Sequence, residues 1–175
     1  MQKQNATMND NEMELIFDAI SSNEGFARVA VAAFVSSLNP TLEEISDIKT
    51  AVSEAVTNAI IHGYENWGGE KNPGEEECVQ IEDTKIGYGK VRVHCTIQAD
   101  CLHIEVEDKG KGIEDIPKAM EPLFTTKPEL NRSGMGFAFM EAFMDELKVE
   151  STVGEGTRVL MRKKLGTGSF LYRED

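Results

Sequence analysis

The chain of 175 residues is poor in cysteine, in basic charge and in long apolar runs, and each shortage removes a class of function. Cys78, Cys95 and Cys101 are odd in number and show no CxxC spacing, which argues against a disulfide framework and a structural zinc site and points to a reducing compartment. With 18 Lys and Arg against 31 Asp and Glu the formal charge is -13, which disfavours nucleic acid as a partner and favours small molecules or proteins with a basic face. No apolar stretch is long enough to cross a membrane, and the start MQKQNATMNDNE is polar where a signal peptide is basic and then apolar. A cytoplasmic protein is expected. Internal repeats and low-complexity tracts are lacking too, and the length suits one domain over 1–175.

What is present reads as alternating strands and helices. Met13, Leu15, Phe17 and Ala19 alternate with mostly polar neighbours, the period of a half-buried strand. Ser22 or Asn23 can cap a helix whose apolar stripe is Phe26, Val29, Ala30, Ala33 and Phe34, closing before Asn39-Pro40. Thr41 and Glu44 have the spacing of a capping box, and the helix they open runs to His62, with Gly63 placed to end it. The segment 66–90 is glycine-rich and acidic and reads as an elaborated connection, with room for a short strand at Cys78 to Glu82.

Two alternating runs follow, Val91 to Ile97 and Leu102 to Val106, with a turn at Ala99-Asp100: an antiparallel hairpin. It ends in DKGKG, residues 108 to 112, and a loop with Pro117, Pro122 and Pro128 leads to SGMGFAFMEAFMDEL. There Phe139, Met140, Phe143, Met144 and Leu147 have the spacing of a buried helical stripe. Leu147 to Thr152 and Thr157 to Lys163 read as strands joined by VGEG, and 165–175 is a tail with little signal. The order implies an α+β fold, with helices packed on one face of a mixed, mostly antiparallel sheet.

Four features can carry chemistry. At about 100 degrees per residue, Asp47, Glu54, Asn58 and, less squarely, His62 share one stripe of the central helix. Val52, Ala55, Val56, Ala59 and Ile60 cover much of the rest, so the stripe faces either solvent or a polar cavity. Asp108 ends a strand ahead of Gly110 and Gly112; its carboxylate can only accept, which suits the exocyclic amine of adenine and repels the oxygen of guanine, although D-x-G-x-G is also an ordinary turn. Ser133, Gly134, Met135 and Gly136 open a helix whose free N–H groups suit phosphate, although simple capping explains them too. The fourth, GEGT at 154–157, is by itself a turn.

Taken in this order, the four motifs resemble those of the GHKL ATPase superfamily with its Bergerat sandwich. NEGFARVAVAAF, IKTAVSEAVTNAIIHGYEN and EPLFTTKPELNRSGMGFAFMEAFMD are most similar to the branch of anti-sigma F factors of spore-forming bacteria, which are also protein serine/threonine kinases. The resemblance implies that ATP or ADP is bound, that Asn58 holds the Mg2+ bridging the phosphates, and that Glu54 is the general base on the acceptor hydroxyl. It further implies that Asp108 receives the adenine amine, that Gly110 and Gly112 border the ring, and that Thr157 supports it. Ser133, Gly134, Met135 and Gly136 would hold phosphates, and 113–133 would form an ATP lid in which Thr126 and Lys127 meet the nucleotide and Lys127 and Arg132 stabilise charge on the transferred phosphoryl group, although a solvated basic residue is an equal reading of each of those two.

Glu24 and Arg28 match partner-contact positions, although an exposed pair four apart on a helix is commonly just a surface pair. His62 can stand near the pocket rim, with packing at the helix end the favoured expectation. Partners implied are a sigma factor, an anti-anti-sigma protein bearing the phosphoacceptor serine, and a second copy in a homodimer. The family usually has a short link where this chain has the insertion 66–90, which bears more on partner fit than on the ATP site. Two other readings are a binding module that ATP gates without phosphate transfer, and the catalytic domain of a histidine kinase.

Overall fold

The computed structural model describes residues 10–64, 89–121 and 134–166. Five strands, β1 (Asn11–Asp18), β2 (Lys90–Gln98), β3 (Cys101–Asp108), β4 (Glu146–Thr152) and β5 (Gly156–Lys164), form one sheet in the order β1-β2-β3-β5-β4. Every pairing among the described residues is antiparallel, where a mixed, mostly antiparallel sheet was expected. The β2–β3 turn is tight enough to hold Ala99 at φ 56°. The strand expected at Cys78 to Glu82, nearly all of the insertion and the tail beyond Gly166 lie outside the described residues.

Alternation along the strands decides which face is dry. Val91, Val93, Cys95 and Ile97 of β2, Leu102, Ile104 and Val106 of β3, and Val159 and Met161 of β5 are all buried under the helices. The intervening residues make the other face a lattice of charge. Arg92 reaches Glu14 and Glu105 at 2.6 Å each, and Arg158 reaches Glu105 at 2.6 Å. Burial pushes the Glu105 carboxyl up, but the guanidiniums of Arg158 and Arg92 outweigh it and hold the group below its ordinary range.

The central helix α2 (Leu42–Asn58) starts as expected: the Glu44 amide donates to Thr41 Oγ1 at 3.1 Å and the Thr41 amide to Glu44 Oε2 at 2.7 Å. It buries Ile48, Ala51, Val52, Ala55 and Val56 and widens into a π-helical turn over Ala59–Gly63. The preceding helix, α1 (Ser22–Val35), departs from expectation. Its buried residues are Ala27, Val31 and Val35, while Phe26 and Val29 are 56% and 60% exposed. The helix is apolar almost all round, so periodicity alone offers two stripes, and the one with the small Ala27 lets α1 lie close on α2. Its N-cap is Ser21 without a side-chain bond, and Asn23 instead donates Nδ2 to the Asp18 carbonyl at 2.9 Å.

A short helix, α3 (Ile116–Ala119), stands where a plain loop was expected; Asp115 caps it by accepting the Lys118 amide at 3.0 Å. The last helix, α4 (Gly136–Phe143), ends earlier than its stripe implied. Met140 and Met144 are buried and Phe139 stacks on Phe143 at 5.9 Å, but Met144 is already extended and Leu147 belongs to β4.

Asp47 also departs from the polar stripe. Its carboxylate meets Lys163 Nζ at 3.1 Å, and the same ammonium donates to the Phe143 carbonyl at 2.5 Å, tying β5 to α2 and to the C-terminal end of α4. Lys163 is only 12% exposed, so removing it strands a carbonyl and a carboxylate in a half-dry seam. Denaturant unfolding of Lys163→Met is expected to show a loss of about 1–3 kcal/mol. Arg158→Met on the charged open face should cost under about 1 kcal/mol.

Candidate functional site

The C-terminal half of α2, the ends of β3 and β5, the loop after β3 with α3, and the first turn of α4 enclose a cavity of about 850 Å³. Glu54 and Asn58 line it, so the polar stripe of α2 faces a cavity and not bulk solvent. His62 lines it as well, which favours the pocket-rim reading over helix-end packing. Asp47, tied to Lys163, does not.

Asp108 ends β3 at the cavity wall and is 4% exposed, the one buried charged side chain among the described residues. Its carboxylate accepts the Gly110 amide at Oδ1, 2.9 Å away, and the backbone N–H of Thr157. Burial pushes its pKa from 3.8 up to about 6, against the pull of those two donors. The loop beyond it is pressed onto the end of the α2 rod. The Lys111 amide donates to the Gly63 carbonyl at 2.7 Å, and a Cβ on Gly110 would stand 1.9 Å from that carbonyl oxygen, so only glycine fits. Tyr64 Oη accepts the Lys109 amide at 2.9 Å and donates to the Lys90 carbonyl, and burial raises its pKa.

Gly112 and Thr157 line the cavity, whereas Gly110 lies at the contact with Gly63. Gly134, Met135 and Gly136 line it too. A Cβ on Gly136 would lie 3.0 Å from Glu54 Oε2 and 3.3 Å from Asn58 Nδ2, so this glycine lets the start of α4 close upon the polar stripe. Thr126, Lys127, Arg132 and Ser133 lie outside the described residues.

Glu24 and Arg28 stand apart from the cavity, on the α1–α2 seam. They pair at 3.5 Å and share Ser53, whose hydroxyl donates to Glu24 and accepts from Arg28 Nη1 at 3.4 Å. Sequence reasoning passed over Tyr64, which stood in plain view in HGYEN; Lys111, which sits inside DKGKG; and Ser151, whose hydroxyl meets Thr157 Oγ1 at 2.9 Å and which no motif signals.

A model of the histidine kinase-like ATPase domain matches residues 22–163. The chain is 57% identical over 157 residues to the anti-sigma F factor of Clostridium acetobutylicum, covering 90% of this chain and 96% of that protein. It is 52% identical over 162 residues to the anti-sigma F factor of Clostridium beijerinckii, covering 93% and 100%. Among solved structures it resembles that of the RsbU and RsbW domains of Rv1364c from Mycobacterium tuberculosis, with a TM-score of 0.57 and 19% identity over 89% of this chain and 32% of that longer one, a likeness of fold.

The raised pKa of Asp108 makes a signed prediction. The folded state holds this proton more tightly than the unfolded chain, so the group favours folding at low pH and that contribution is lost as pH rises from about 4 to about 6. Asp108→Asn lacks the titration. Measured by denaturant unfolding, its stability relative to the parent is expected to rise by about 3 kcal/mol across that window and to level off above it. A difference that does not change with pH would refute the assignment.

Proposed function

This chain belongs to the histidine kinase-like ATPase family and, within it, to the anti-sigma F factors, and from that membership we propose that it holds a sigma factor of the sigma F type inactive and, with ATP and magnesium, phosphorylates a serine of an anti-anti-sigma protein. The observation that carries the reading is the meeting of Glu54, Asn58, Asp108 and the Gly134–Gly136 turn in one cavity. Nucleotide binding is what the family implies. An adenine amine is matched by the Asp108 carboxylate, with Gly112 and Thr157 beside it, and the phosphates by the amides at the start of α4.

In the proposed transfer the serine oxygen attacks the γ-phosphorus, the bond from phosphorus to the β–γ bridging oxygen breaks, ADP leaves, and Glu54 takes the hydroxyl proton. A group that only sensed nucleotide would need no base at that point. Magnesium fits the donors present. Asn58 offers an amide oxygen, and among the described residues no three His, Cys, Asp or Glu gather to hold a metal, so phosphate oxygens and water would complete the set. When bound, the ion neutralises phosphate charge. Thr126, Lys127, Arg132 and Ser133 are assigned to the nucleotide, and Glu24 and Arg28 to partner contact, on sequence resemblance alone.

A charge of -13 would draw a sigma factor by a basic face. A homodimer and a cytoplasmic location belong to the same reading; no helix among the described residues is long and apolar enough to cross a membrane.

The test uses labelled ATP, magnesium and a purified anti-anti-sigma protein. Acid-stable label on the acceptor serine is expected, and Glu54→Gln should slow its appearance by about 10²–10⁴-fold while ATP binding changes little. Tight ATP binding without label on the acceptor would reduce the protein to a nucleotide-gated binding module, and acid-labile label would indicate histidine kinase chemistry.

A further inference from the structure

Three groups converge on the hydroxyl of Ser151 in β4. The Ile113 amide donates to it at 2.8 Å, the Gly156 carbonyl lies 2.9 Å away as an acceptor, and Thr157 Oγ1 lies at 2.9 Å, able to play either role. A serine hydroxyl has one proton and two lone pairs. The amide can only donate and the carbonyl can only accept, so the Ser151 proton goes to Gly156 and both lone pairs serve as acceptors. Thr157 must therefore donate its own proton to Ser151. What Thr157 can then offer a ligand in the cavity is lone pairs only.

We propose that Ser151, a residue that touches no nucleotide itself, fixes the hydrogen-bond polarity of Thr157 and so selects a base bearing an amine over one bearing an oxygen. The inference rests on the reading of the cavity as a nucleotide site. Asp108 and Thr157 are bonded to one another through the Thr157 amide and both line the cavity. With Ser151 in place, they present two neighbouring acceptors. A 6-amino purine brings donors to such a pair, whereas the carbonyl of a 6-oxo purine brings a third acceptor and is repelled. Without Ser151 the Thr157 proton is released and can turn towards that carbonyl. Ser151 is thus a positioning residue for specificity, acting through Thr157, and it also seats the loop after β3 by receiving the Ile113 amide.

The test is calorimetric titration of the full chain with ATP and with ITP, whose base carries an oxygen in place of the 6-amine and a proton on N1, in magnesium buffer. The parent should favour ATP. In Ser151→Ala the ATP-to-ITP ratio is expected to fall about five- to tenfold, the worth of one neutral hydrogen bond. Ser151→Thr, which keeps the hydroxyl, should restore it. Equal loss of both nucleotides in Ser151→Ala, with the ratio preserved, would mean that Ser151 is merely structural and would overturn the inference. Failure of the parent to bind either nucleotide would instead overturn the reading of the site, and this proposal with it. If Ser151→Ala does not fold, Thr157→Val decides: selective weakening of ATP by about five- to tenfold supports the acceptor role, and equal weakening of both refutes it.

Discussion

A carboxylate that is 4% exposed must be surrounded by groups that make its charge tolerable, and much of this molecule's local architecture follows from that demand at Asp108. Its shift to about 6 corresponds to about 3 kcal/mol held against folding at neutral pH. Two backbone amides, from Gly110 and Thr157, offset part of the desolvation, and to deliver them the loop after β3 must fold back on itself while β5 begins alongside. Glycine at 110 follows, because the folded loop lies on the Gly63 carbonyl. So does the role of Tyr64, whose hydroxyl receives the amide of Lys109, next after Asp108. The end of α2, the loop and the start of β5 are thus three parts of a single solvation shell.

That shell sits on a frame with its own logic. The sheet's dry face is closed by α1, α2 and α4, and the frame is pinned where Lys163 spans Asp47 and the Phe143 carbonyl. The pin fixes the C-terminal end of α4, so the opposite end, where Gly136 lies against Glu54 and Asn58, is placed by a rigid rod eight residues long. Geometry at the cavity is set from a distance, by an ion pair that itself contributes nothing to the cavity wall.

How much of this was legible depends on whether a feature is written in one stretch of chain or in the meeting of several. The Thr41–Glu44 box, the β2–β3 alternation and the Glu54–Asn58 stripe are each local, and each stands as the residues imply. The buried face of α1 was not legible: Phe26 and Val29 are as apolar as Val31 and Val35, and only the approach of α2 chooses between them. The same holds for Asp47, indistinguishable by period from Glu54 until Lys163 arrives from 116 residues away. His62 and Ser151 belong to this class. One was assigned to helix-end packing because an isolated histidine usually is; the other is a strand serine whose part appears only when Ile113, Gly156 and Thr157 surround it.

Among the described residues, no buried side-chain nitrogen or oxygen lacks a hydrogen-bond partner, so the buried Asp108 in the cavity wall is satisfied before any ligand arrives. For a wall of donors that would close the site, since each proton serves one acceptor well and a ligand would have to break a bond to make one. A wall of acceptors behaves differently, because carboxylate and hydroxyl oxygens carry more lone pairs than their internal donors occupy. Asp108 can hold the Gly110 and Thr157 amides and still receive another proton, and Thr157 can give its proton to Ser151 and still accept. An acceptor-lined pocket can therefore be ordered in advance and remain open to a donor, which is the condition under which rigidity and affinity do not compete.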